Sequence, residues 1–403
     1  MIRKLFYNAR IFTPTSQGKV ITIPRGYIFV ENGRIVSVGE MDNRQRLLLD
    51  DLQEIDLGGA TVIPGFVDPH THSCFGATRE SEFNMRLDGK EYLEILKAGG
   101  GILSSVKSVE SLSEDDLFTI SSIRINQMLV NGTTTLEIKS GYGLCAELEL
   151  KMLRVIDRIG REMPLDVVPT FMGAHAVPPE YKSNPDEYVS IIINEMLKAV
   201  KTQGIAKFFD VFCEEGVFSI DQSRKMLLSA AEAGFMLKIH ADEVHSLGGA
   251  SLAVEVGARS AEHLLAASDE GIAAMASAGT IAVLLPATAL SLRKPFARAR
   301  KMIDSGVKVA LATDCNPGSC FCQSMPFVFM LGILGMNMTG DEALRACTLN
   351  AARAIGMERD VGSLEAGKKA DFILIDCDFP SGIAYRLSSH VIVSVYKMGE
   401  QIA

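Results

Sequence analysis

The chain carries two patterns of apolar and polar positions, and each predicts a different kind of structure. Near the start, short β-rich runs are separated by turn signals such as the hairpin dipeptide Asn32-Gly33. The segment after Gly362 has the same character, with the strand-like runs ADFILIDCD and HVIVSVYKMGEQI and a further turn between Lys397 and Gln401. The two ends therefore predict one small β-sandwich-like domain built from both termini.

Between the ends, short apolar runs alternate with amphipathic stretches such as Asp221–Ala233 and Asp269–Ala278. This alternation is typical of βα units around a parallel sheet. Eight runs have the length and composition of strands: Thr61–Val67, Thr133–Lys139, Leu165–Met172, Ala206–Phe212, Phe235–His240, Ala258–His263, Thr280–Leu285 and Val307–Thr313. We therefore predict an α/β fold, with a TIM-like (β/α)8 barrel over residues 61–359 beside a composite β domain of residues 1–60 plus 360–403.

Length, composition and charge argue against several classes of protein. A length of 403 residues exceeds what one hydrophobic core usually carries, and a net charge of −9 argues against nucleic acid as a partner. The first residues lack the apolar core of a signal peptide, and the longest nearly apolar stretch, Phe327–Met336, is too short to span a bilayer and predicts a buried helix. Eight scattered Cys fit free thiols in a reducing cytosol, so we expect a cytoplasmic protein with no membrane partner.

The first predicted barrel strand ends in the sequence DPHTH, which contains His70 and His72. Residues i and i+2 of an extended strand point to the same side, so these two imidazoles can face one metal ion. An HxH pair alone is a weak signal, because it also occurs as ordinary polar residues of a loop.

Polar side chains also follow or end other predicted strands of the barrel. His175 comes after the third strand, His240 and His263 end the fifth and sixth, and Asp314 ends the eighth. The chemistry of a TIM barrel lies at the carboxyl ends of its strands, so these side chains converge with the HxH pair. The pattern therefore predicts a functional site on that face of the barrel.

This combination of strand ends resembles the amidohydrolase superfamily, as does a β domain made from both termini. The resemblance implies one divalent metal ion per chain, held by His70, His72, His240 and Asp314. Three imidazoles and one carboxylate suit Zn²⁺ or iron (Fe²⁺ or Fe³⁺), and ligand type does not separate them. The bridging modified lysine of two-metal members has no counterpart, since Lys207 lies at the start of the fourth strand, which is the wrong end.

Further motifs narrow the resemblance to the family of imidazolonepropionases along nearly the whole chain. They are PGFVDPHTH, FGATRESEF, AGGGI, TTLEIKSGYGL, PTFMGAHAVP, FCEEGVFS, KIHADE, LLPAT and ATDCNPGS, in this order. Small departures are Ala77, where the family often has Gly, and Glu262, where it usually has Asp. The resemblance implies that the small-molecule substrate is 4-imidazolone-5-propionate. Water opens its ring amide to N-formimino-L-glutamate, the third step of histidine degradation.

Hydrolysis of an amide needs groups that move protons and that stabilise an oxyanion. Glu243, three residues past His240, and Asp314 are our candidates for proton transfer, and His263 is the candidate donor to the oxyanion. Glu243 could instead form a hydrogen bond that supports a neighbouring residue, or be a solvated charge of a loop. His263 could equally be a buried hydrogen-bonded residue or a spare ligand.

The resemblance also implies contacts between the chain and its substrate. Arg79 could hold the propionate carboxylate with a bidentate fork, although a surface ion pair is the alternative. The other residues placed against the substrate by the resemblance are Tyr142, His175, Glu243, Asn316, Gly318 and Ser319.

Two other functions remain open. Another cyclic-amide hydrolase or a nucleobase deaminase could use the same scaffold and metal ligands. Neither an aminopurine nor a pyrimidine has a propionate for Arg79 to bind. A non-catalytic scaffold would be expected to have lost ligands that this chain retains.

A few polar or unusual segments receive no catalytic role. His245 is interpreted as a solvent-facing residue at a helix start, and residues 99–101, three glycines, as a flexible loop near the substrate, since no Lys-Ser/Thr of a P-loop follows. Cys315, Cys320 and Cys322 form no CxxC pair and are interpreted as buried filler that oxidation could modify. The resemblance also favours a homodimer.

Overall fold

The computed structural model describes residues 2–42, 51–90, 94 and 100–403. Its strands form two eight-stranded sheets, one with parallel pairing throughout and one with mixed pairing. The parallel sheet is a barrel wrapped by helices, and the mixed sheet is built from both ends of the chain, which confirms the predicted architecture. The residue limits of the two domains stay a prediction.

The mixed sheet joins five strands from the start of the chain to three from its end. The strands are β1 (Arg3–Pro14), β2 (Val20–Glu31), β3 (Arg34–Glu40), β4 (Leu52–Asp56), β5 (Thr61–Pro64), β14 (Phe372–Ile375), β15 (Ile392–Lys397) and β16 (Glu400–Gln401). Their order is β16-β15-β14-β5-β1-β2-β3, and β4 pairs with β1.

Aromatic packing fastens the two ends of the chain to each other. The ring of Phe372 lies edge-on to Phe6 at 5.0 Å and stacks on Tyr396 at 4.5 Å. The predicted Asn32-Gly33 hairpin joins β2 to β3, and both of its residues have the positive φ that this turn requires. The sheet therefore cannot be completed without the last strands of the chain.

The barrel strands follow one another in sequence order around the sheet. They are β6 (Phe66–Asp68), β7 (Thr133–Lys139), β8 (Asp166–Ala174), β9 (Phe208–Cys213), β10 (Met236–Ala241), β11 (Ser260–His263), β12 (Ile281–Leu284) and β13 (Val309–Leu311). Backbone hydrogen bonds from Asp314 to His70 (3.1 Å) and from His72 to Cys315 (3.0 Å) join the ends of β6 and β13. These bonds tie the first strand to the last at the carboxyl end of the barrel.

Most predicted strands correspond to one barrel strand, but Thr61–Val67 comprises two strands in different sheets. β5 pairs with β14 in the mixed sheet, and β6 pairs with β7 in the barrel. Gly65 separates them, and a Cβ at this position would lie 2.3 Å from Oγ1 of Thr134. The chain therefore passes between the sheets through a gap that only glycine fits.

Helices cover the outside of the barrel. Those bounded by described residues are α1 (Glu80–Leu87), α2 (Ile102–Ser111), α3 (Glu114–Val130), α4 (Ala146–Glu162), α5 (Pro185–Ile191), α6 (Leu197–Gln203), α7 (Ile220–Glu232), α8 (Gly249–Glu255), α9 (Asp269–Ala278), α10 (Pro286–Ser291), α11 (Ala299–Asp304), α12 (Met325–Leu334), α13 (Gly340–Ala346), α14 (Leu349–Ala354) and α15 (Gly382–Tyr385). A 3-10 turn spans Pro179–Tyr181, and a π-helical turn, Ile192–Met196, joins α5 to α6.

Local sequence explains where the helices begin. Ser219 starts α7 through a capping box with Gln222, and the Ser268 hydroxyl accepts a hydrogen bond from the first turn of α9. The nearly apolar stretch Phe327–Met336 falls largely in α12, which is buried on one side, while Leu334 is 58% exposed. Among the described residues, no helix combines the length and apolar character needed to cross a membrane.

Candidate active site

Four side chains meet at the carboxyl end of the barrel, where the ends of β6 and β13 are tied together. His70 and His72 follow β6, His240 lies in β10, and Asp314 follows β13. The Nε2 atoms of His72 and His240 are 3.3 Å apart, and Asp314 Oδ1 lies 3.4 Å from His70 Nε2 and 3.8 Å from His72 Nε2. The structure therefore brings together all four residues that the sequence proposed as metal ligands.

The imidazoles are oriented so that their Nε2 atoms face a common centre. His70 Nδ1 contacts Glu262 Oε2, and His240 Nδ1 lies 3.1 Å from Asp210 Oδ1, so both Nδ1 atoms are engaged by carboxylates. His70 Nε2 is fully buried and has no hydrogen-bond partner within the described part of the chain. A buried nitrogen lone pair aimed at two further imidazoles and a carboxylate fits a divalent cation such as Zn²⁺ or Fe²⁺.

The electrostatics of this cluster suit a cation as well. Burial, reinforced by the neighbouring imidazoles, lowers the pKa of His72 and His240 well below its usual value, so both rings are neutral. Burial alone would raise the pKa of Asp314, but its contacts with His70 outweigh burial and lower the pKa. The Thr288 hydroxyl also donates to Asp314 Oδ2 at 2.6 Å. Asp314, His72 and His240 thus have the protonation states that metal binding requires. Against the opposing effect of burial, Glu262 raises the pKa of His70 to about 9, so a cation would have to displace that proton.

A cavity of about 440 Å³ opens directly above this cluster. Its lining includes almost every residue that the sequence placed at the site: His72, Arg79, Tyr142, His175, His240, Glu243, His263, Asp314, Asn316, Gly318 and Ser319. The volume suits a small molecule. The roles of these residues stay predictions, since their positions alone do not test them.

Glu243 and His263 form the wall of the cavity beside the four-residue cluster. Their closest atoms, Glu243 Oε1 and His263 Nδ1, are 3.6 Å apart. Burial, with a contribution from Asp314, raises the pKa of Glu243 to about 8, and burial lowers the pKa of His263 to about 3. A carboxyl group whose pKa lies near neutrality can both take up and release a proton at working pH.

Two residues of this site have a backbone conformation that side chains other than glycine rarely adopt. The φ angles of His263 and Asp314 are 72° and 51°. Such strain persists only where the surrounding structure imposes it, and it is concentrated at functional sites.

Arg79 lies on the opposite wall and is already engaged by a carboxylate. It donates through Nε and Nη2 to Glu82, at 2.8 and 2.6 Å, and Glu82 also accepts a hydrogen bond from Gly101 N. Nearby, Arg86 Nη2 donates to Gly318 O at 3.1 Å. Both Glu82 and Arg86 line the cavity, and neither was predicted from the sequence.

The loop after Asp314 is organised around the side chain of Asn316. Its Oδ1 accepts hydrogen bonds from Gly318 N (2.9 Å) and Ser319 N (2.8 Å), and its Nδ2 donates to Asp314 O at 2.8 Å. A Cβ on Gly318 would lie 2.4 Å from Arg79 Nη1. Glycine therefore lets this loop pack directly against the guanidinium.

Tyr142 and His175 form an aromatic wall beside the metal-ligand cluster. The His175 ring stacks on His72 at 4.8 Å and lies 5.3 Å from the Tyr142 ring. His175 Nδ1 lies 3.0 Å from Gly141 O, so this nitrogen carries the proton and donates it to the carbonyl. Nε2 of His175 is then left as an acceptor towards the cavity.

Directly beneath the ligands lies a charged cluster that sequence reasoning missed. Lys139 and Lys238 are fully buried together with the carboxylates of Glu137, Asp210 and Glu262. A usable signal was present, because Glu137 and Lys139 are charged residues at i and i+2 of a strand. The same spacing recurs for Lys238 and His240.

The segments that received no catalytic role lie around the edge of the site. His245 is half-exposed and pairs with Glu214, a few residues before α8 begins at Gly249. Cys315 and Cys320 are buried as expected, and Cys322 is half-buried. Of the three-glycine segment, Gly99 lies outside the described residues, whereas Gly101 lines the cavity.

Comparison with known sequences settles the family. Residues 61–402 match the Amidohydrolase family. The chain belongs to the amidohydrolase family. It is 55% identical to the imidazolonepropionase of Syntrophobacter fumaroxidans, over 98% of this chain and 96% of that protein. The imidazolonepropionase of Desulfotalea psychrophila is 52% identical over the full length of both chains.

Solved structures of other proteins share the fold of this amidohydrolase. The adenosine deaminase of Xanthomonas campestris, with bound zinc, aligns with a TM-score of 0.72 at 18% identity and covers 99% of this chain and 92% of that one. The guanine deaminase of E. coli aligns with a TM-score of 0.71 at 15% identity and covers 100% and 99%. At these identities the likeness extends to the fold alone.

Proposed function

We propose that this amidohydrolase opens the ring of 4-imidazolone-5-propionate by hydrolysis of its amide C–N bond. The product is N-formimino-L-glutamate, and the reaction is the third step of histidine degradation. The observation that carries the proposal is full-length identity above 50% to imidazolonepropionases, combined with a cavity that has metal ligands on one side and Arg79 on the other.

The metal centre is proposed to hold one ion per chain, Zn²⁺ or iron, through His70, His72, His240 and Asp314. Such an ion lowers the pKa of a bound water from ~15.7 to about 7 and so supplies a nucleophile at neutral pH. The chain's own contribution is to keep His72 and His240 neutral and to orient His240 through the contact of its Nδ1 with Asp210.

Glu243 is proposed to manage the proton. As a carboxylate it takes a proton from the attacking water, and as a carboxylic acid it delivers that proton to the ring nitrogen that leaves. Its buried position beside the ligands and a pKa of about 8 allow both steps near neutral pH. Asp314 lies close enough to share the first transfer.

His263 is proposed to stabilise the oxyanion that forms when water adds to the ring carbonyl. Burial lowers its pKa to about 3, so the ring is neutral and offers one N–H group. Its Nδ1 has no hydrogen-bond partner among the described residues. A pre-oriented donor without a competing partner is what oxyanion stabilisation requires.

The substrate's propionate is proposed to lie against the Arg79 wall. Tyr142 and His175 would hydrogen-bond or stack on the ring, and the loop of Asn316, Gly318 and Ser319 would enclose the tail. A deaminase of the same fold remains the second candidate, but the guanidinium beside the cavity favours a substrate with a carboxylate. The cytoplasmic location and the homodimer also stay predictions.

The test is an assay of metal-loaded protein with freshly generated imidazolonepropionate, following loss of substrate and identifying the product by mass. We expect formiminoglutamate in a metal-dependent amount. A chain that binds metal but leaves this substrate intact, and instead releases ammonia from an aminopurine or pyrimidine, would favour the deaminase. A chain that binds no metal after reconstitution would contradict a metal-dependent mechanism.

A further inference from the structure

The buried Lys139 ammonium is surrounded by three carboxylates beneath the proposed metal centre. Its Nζ lies 2.7 Å from Glu137 Oε1, 2.7 Å from Asp210 Oδ2 and 3.1 Å from Glu262 Oε2. None of these four side chains is exposed to solvent. An ammonium with carboxylates on three sides has the oxygen-rich surroundings that hard divalent cations prefer.

Two of these carboxylates also contact the proposed metal ligands. Glu262 Oε2 contacts His70 Nδ1, and Asp210 Oδ1 lies 3.1 Å from His240 Nδ1. Lys139 is therefore linked to each of these two imidazoles through a single carboxylate. Carboxylates in this position fix the orientation and the tautomer of metal-binding histidines.

The surroundings of Nζ are rich in carboxylate oxygens, because Glu137, Asp210 and Glu262 each place one oxygen within 3.1 Å of it. Asp210 and Glu262 also belong, with His240, to a group whose donor atoms lie within 4.8 Å of one another. Asp210 Oδ2 is buried and has no aligned hydrogen bond within the described part of the chain, although it lies 2.7 Å from Nζ. Asp210 Oδ2 therefore has the Lys139 ammonium as its charge partner.

The charge balance requires a cation at this point. The second ammonium, Lys238 Nζ, lies 2.8 Å from Glu262 Oε1, 3.7 Å from Glu137 Oε1 and donates to Pro69 O at 2.7 Å, so its shortest ion pair is with Glu262 and it has none with Asp210 among the described contacts. Buried carboxylates left without a partner are strongly destabilising. If Lys139 were shortened, the remaining negative charge would have to be balanced by protons or by another cation.

We propose that the Lys139 ammonium occupies the position of a second divalent cation and thereby keeps the centre mononuclear. In this position Lys139 is a positioning residue: it holds Asp210 and Glu262 where they orient His240 and His70. The inference rests on the proposed metal centre, and it predicts that Glu137, Asp210 and Glu262 form a latent metal site that the lysine fills.

The test compares two variants of Lys139, one that leaves room for an ion in place of the side chain and one that does not. Lys139→Ala removes the charge and opens room for an ion, whereas Lys139→Met removes the charge and keeps the room filled. Each purified chain is loaded with Mn²⁺, which accepts carboxylate ligands, and its metal content is measured after removal of free ion. We expect one ion in the unmodified chain, two in Lys139→Ala, and no more than one in Lys139→Met.

The outcomes separate this inference from the proposed function. An unmodified chain without metal would contradict the proposed centre, whereas an unmodified chain with two ions would overturn the role of Lys139. One ion in Lys139→Ala would also overturn it. The measurement is repeated with Glu137→Gln added to each Lys139 variant. This second substitution removes one buried negative charge and leaves the carboxylates of Asp210 and Glu262 in place.

The Ala variant could also depend on metal for folding, which circular dichroism with and without Mn²⁺ measures. Folding only when Mn²⁺ is present supports the inference, because the ion then replaces the ammonium. A Lys139→Ala chain that stays unfolded in millimolar Mn²⁺, alone and with Glu137→Gln, contradicts it.

Discussion

The Arg79 guanidinium is held at the cavity wall by Glu82, which accepts hydrogen bonds from Nε and Nη2 at 2.8 and 2.6 Å. The pairing fixes the plane of the guanidinium, and Nη1 then points at Gly318, where a Cβ would lie 2.4 Å away. Arg79 thus forms an ion pair and also lines the cavity, and its contact with the substrate stays a prediction.

Arg79→Ala is expected to weaken substrate binding more than the chemical step. Loss of charge-assisted hydrogen bonds to a carboxylate typically costs about 1.5–3 kcal/mol, so KM should rise about 10- to 100-fold. Steady-state kinetics give kcat and KM separately, and a substrate analogue without the carboxylate should be insensitive to the change. An unaltered KM would remove Arg79 from the substrate site.

Glu243→Gln should retain metal and lose turnover by about 10²- to 10⁴-fold, the usual contribution of a general acid–base group. The amide keeps the shape of the side chain but cannot accept or release the proton. Metal content by elemental analysis is the control. Turnover within a few-fold of the unmodified chain would exclude Glu243 from proton transfer.

The pH dependence of kcat/KM follows from the same carboxyl group. Burial raises the pKa of Glu243 to about 8, and the proposed first step needs the ionised form. Activity should therefore rise with pH, and because a bound cation favours the carboxylate, the midpoint should lie below about 8. This rise of kcat/KM with pH should be absent from the residual activity of Glu243→Gln. The same rise in that variant would assign the titration to another group.

Thr288→Val is expected to weaken metal binding without removing a ligand. The hydroxyl donates to Asp314 Oδ2 at 2.6 Å, and loss of such an outer contact typically lowers metal affinity about 10- to 100-fold. Competition with a chelator measures the affinity. Thr288→Ser keeps the hydroxyl and should bind metal like the unmodified chain, and equal affinities in all three proteins would contradict the prediction.

Glu342→Gln tests an ion pair that joins α11 to α13 away from the site. Hydrogen bonds from Arg300 lower the pKa of Glu342 to about 2, against the opposing effect of burial. A lowered folded-state pKa stabilises the fold above the usual pKa near 4.5, and this contribution is lost as pH falls towards 2.

We therefore expect Glu342→Gln to lower the free energy of unfolding by about 1 kcal/mol at pH 7, since the pair is partly screened by solvent. The deficit should shrink below pH 4.5. Urea unfolding at several pH values measures it, and glutamine preserves the capping box with Thr339. A deficit that grows on acidification would reverse the assigned sign.

The sequence predicted the position of the site because the same signal, a polar residue at the end of an apolar run, occurs in several strands. His70, His240 and Asp314 each follow or end an apolar run, and in a parallel barrel such positions meet on one face. The amphipathic stretches predicted from Asp221 and from Asp269 correspond to α7 and α9, because the pattern and the cap of a helix lie within a short stretch of chain.

What the sequence did not reveal depends on partners distant along the chain. The passage between sheets at Gly65 was hidden because β5 and β6 are both fully buried and read as one apolar run. Lys139 received no role, because its partners Asp210 and Glu262 come from other strands. The periodicity of apolar residues predicts which face of a strand is buried, but it does not predict which residues of other strands lie against that face.

The backbone hydrogen bond from Asp314 N to His70 O has a consequence for the biogenesis of the protein. It helps to close the barrel by joining two residues that lie far apart in the chain and whose side chains belong to the proposed metal centre. A nascent chain on the ribosome therefore lacks both the closing strand and the fourth ligand until residue 314 has emerged. Binding through all four proposed ligands would therefore require a chain synthesised past residue 314, and a bound ion would report that the barrel has closed.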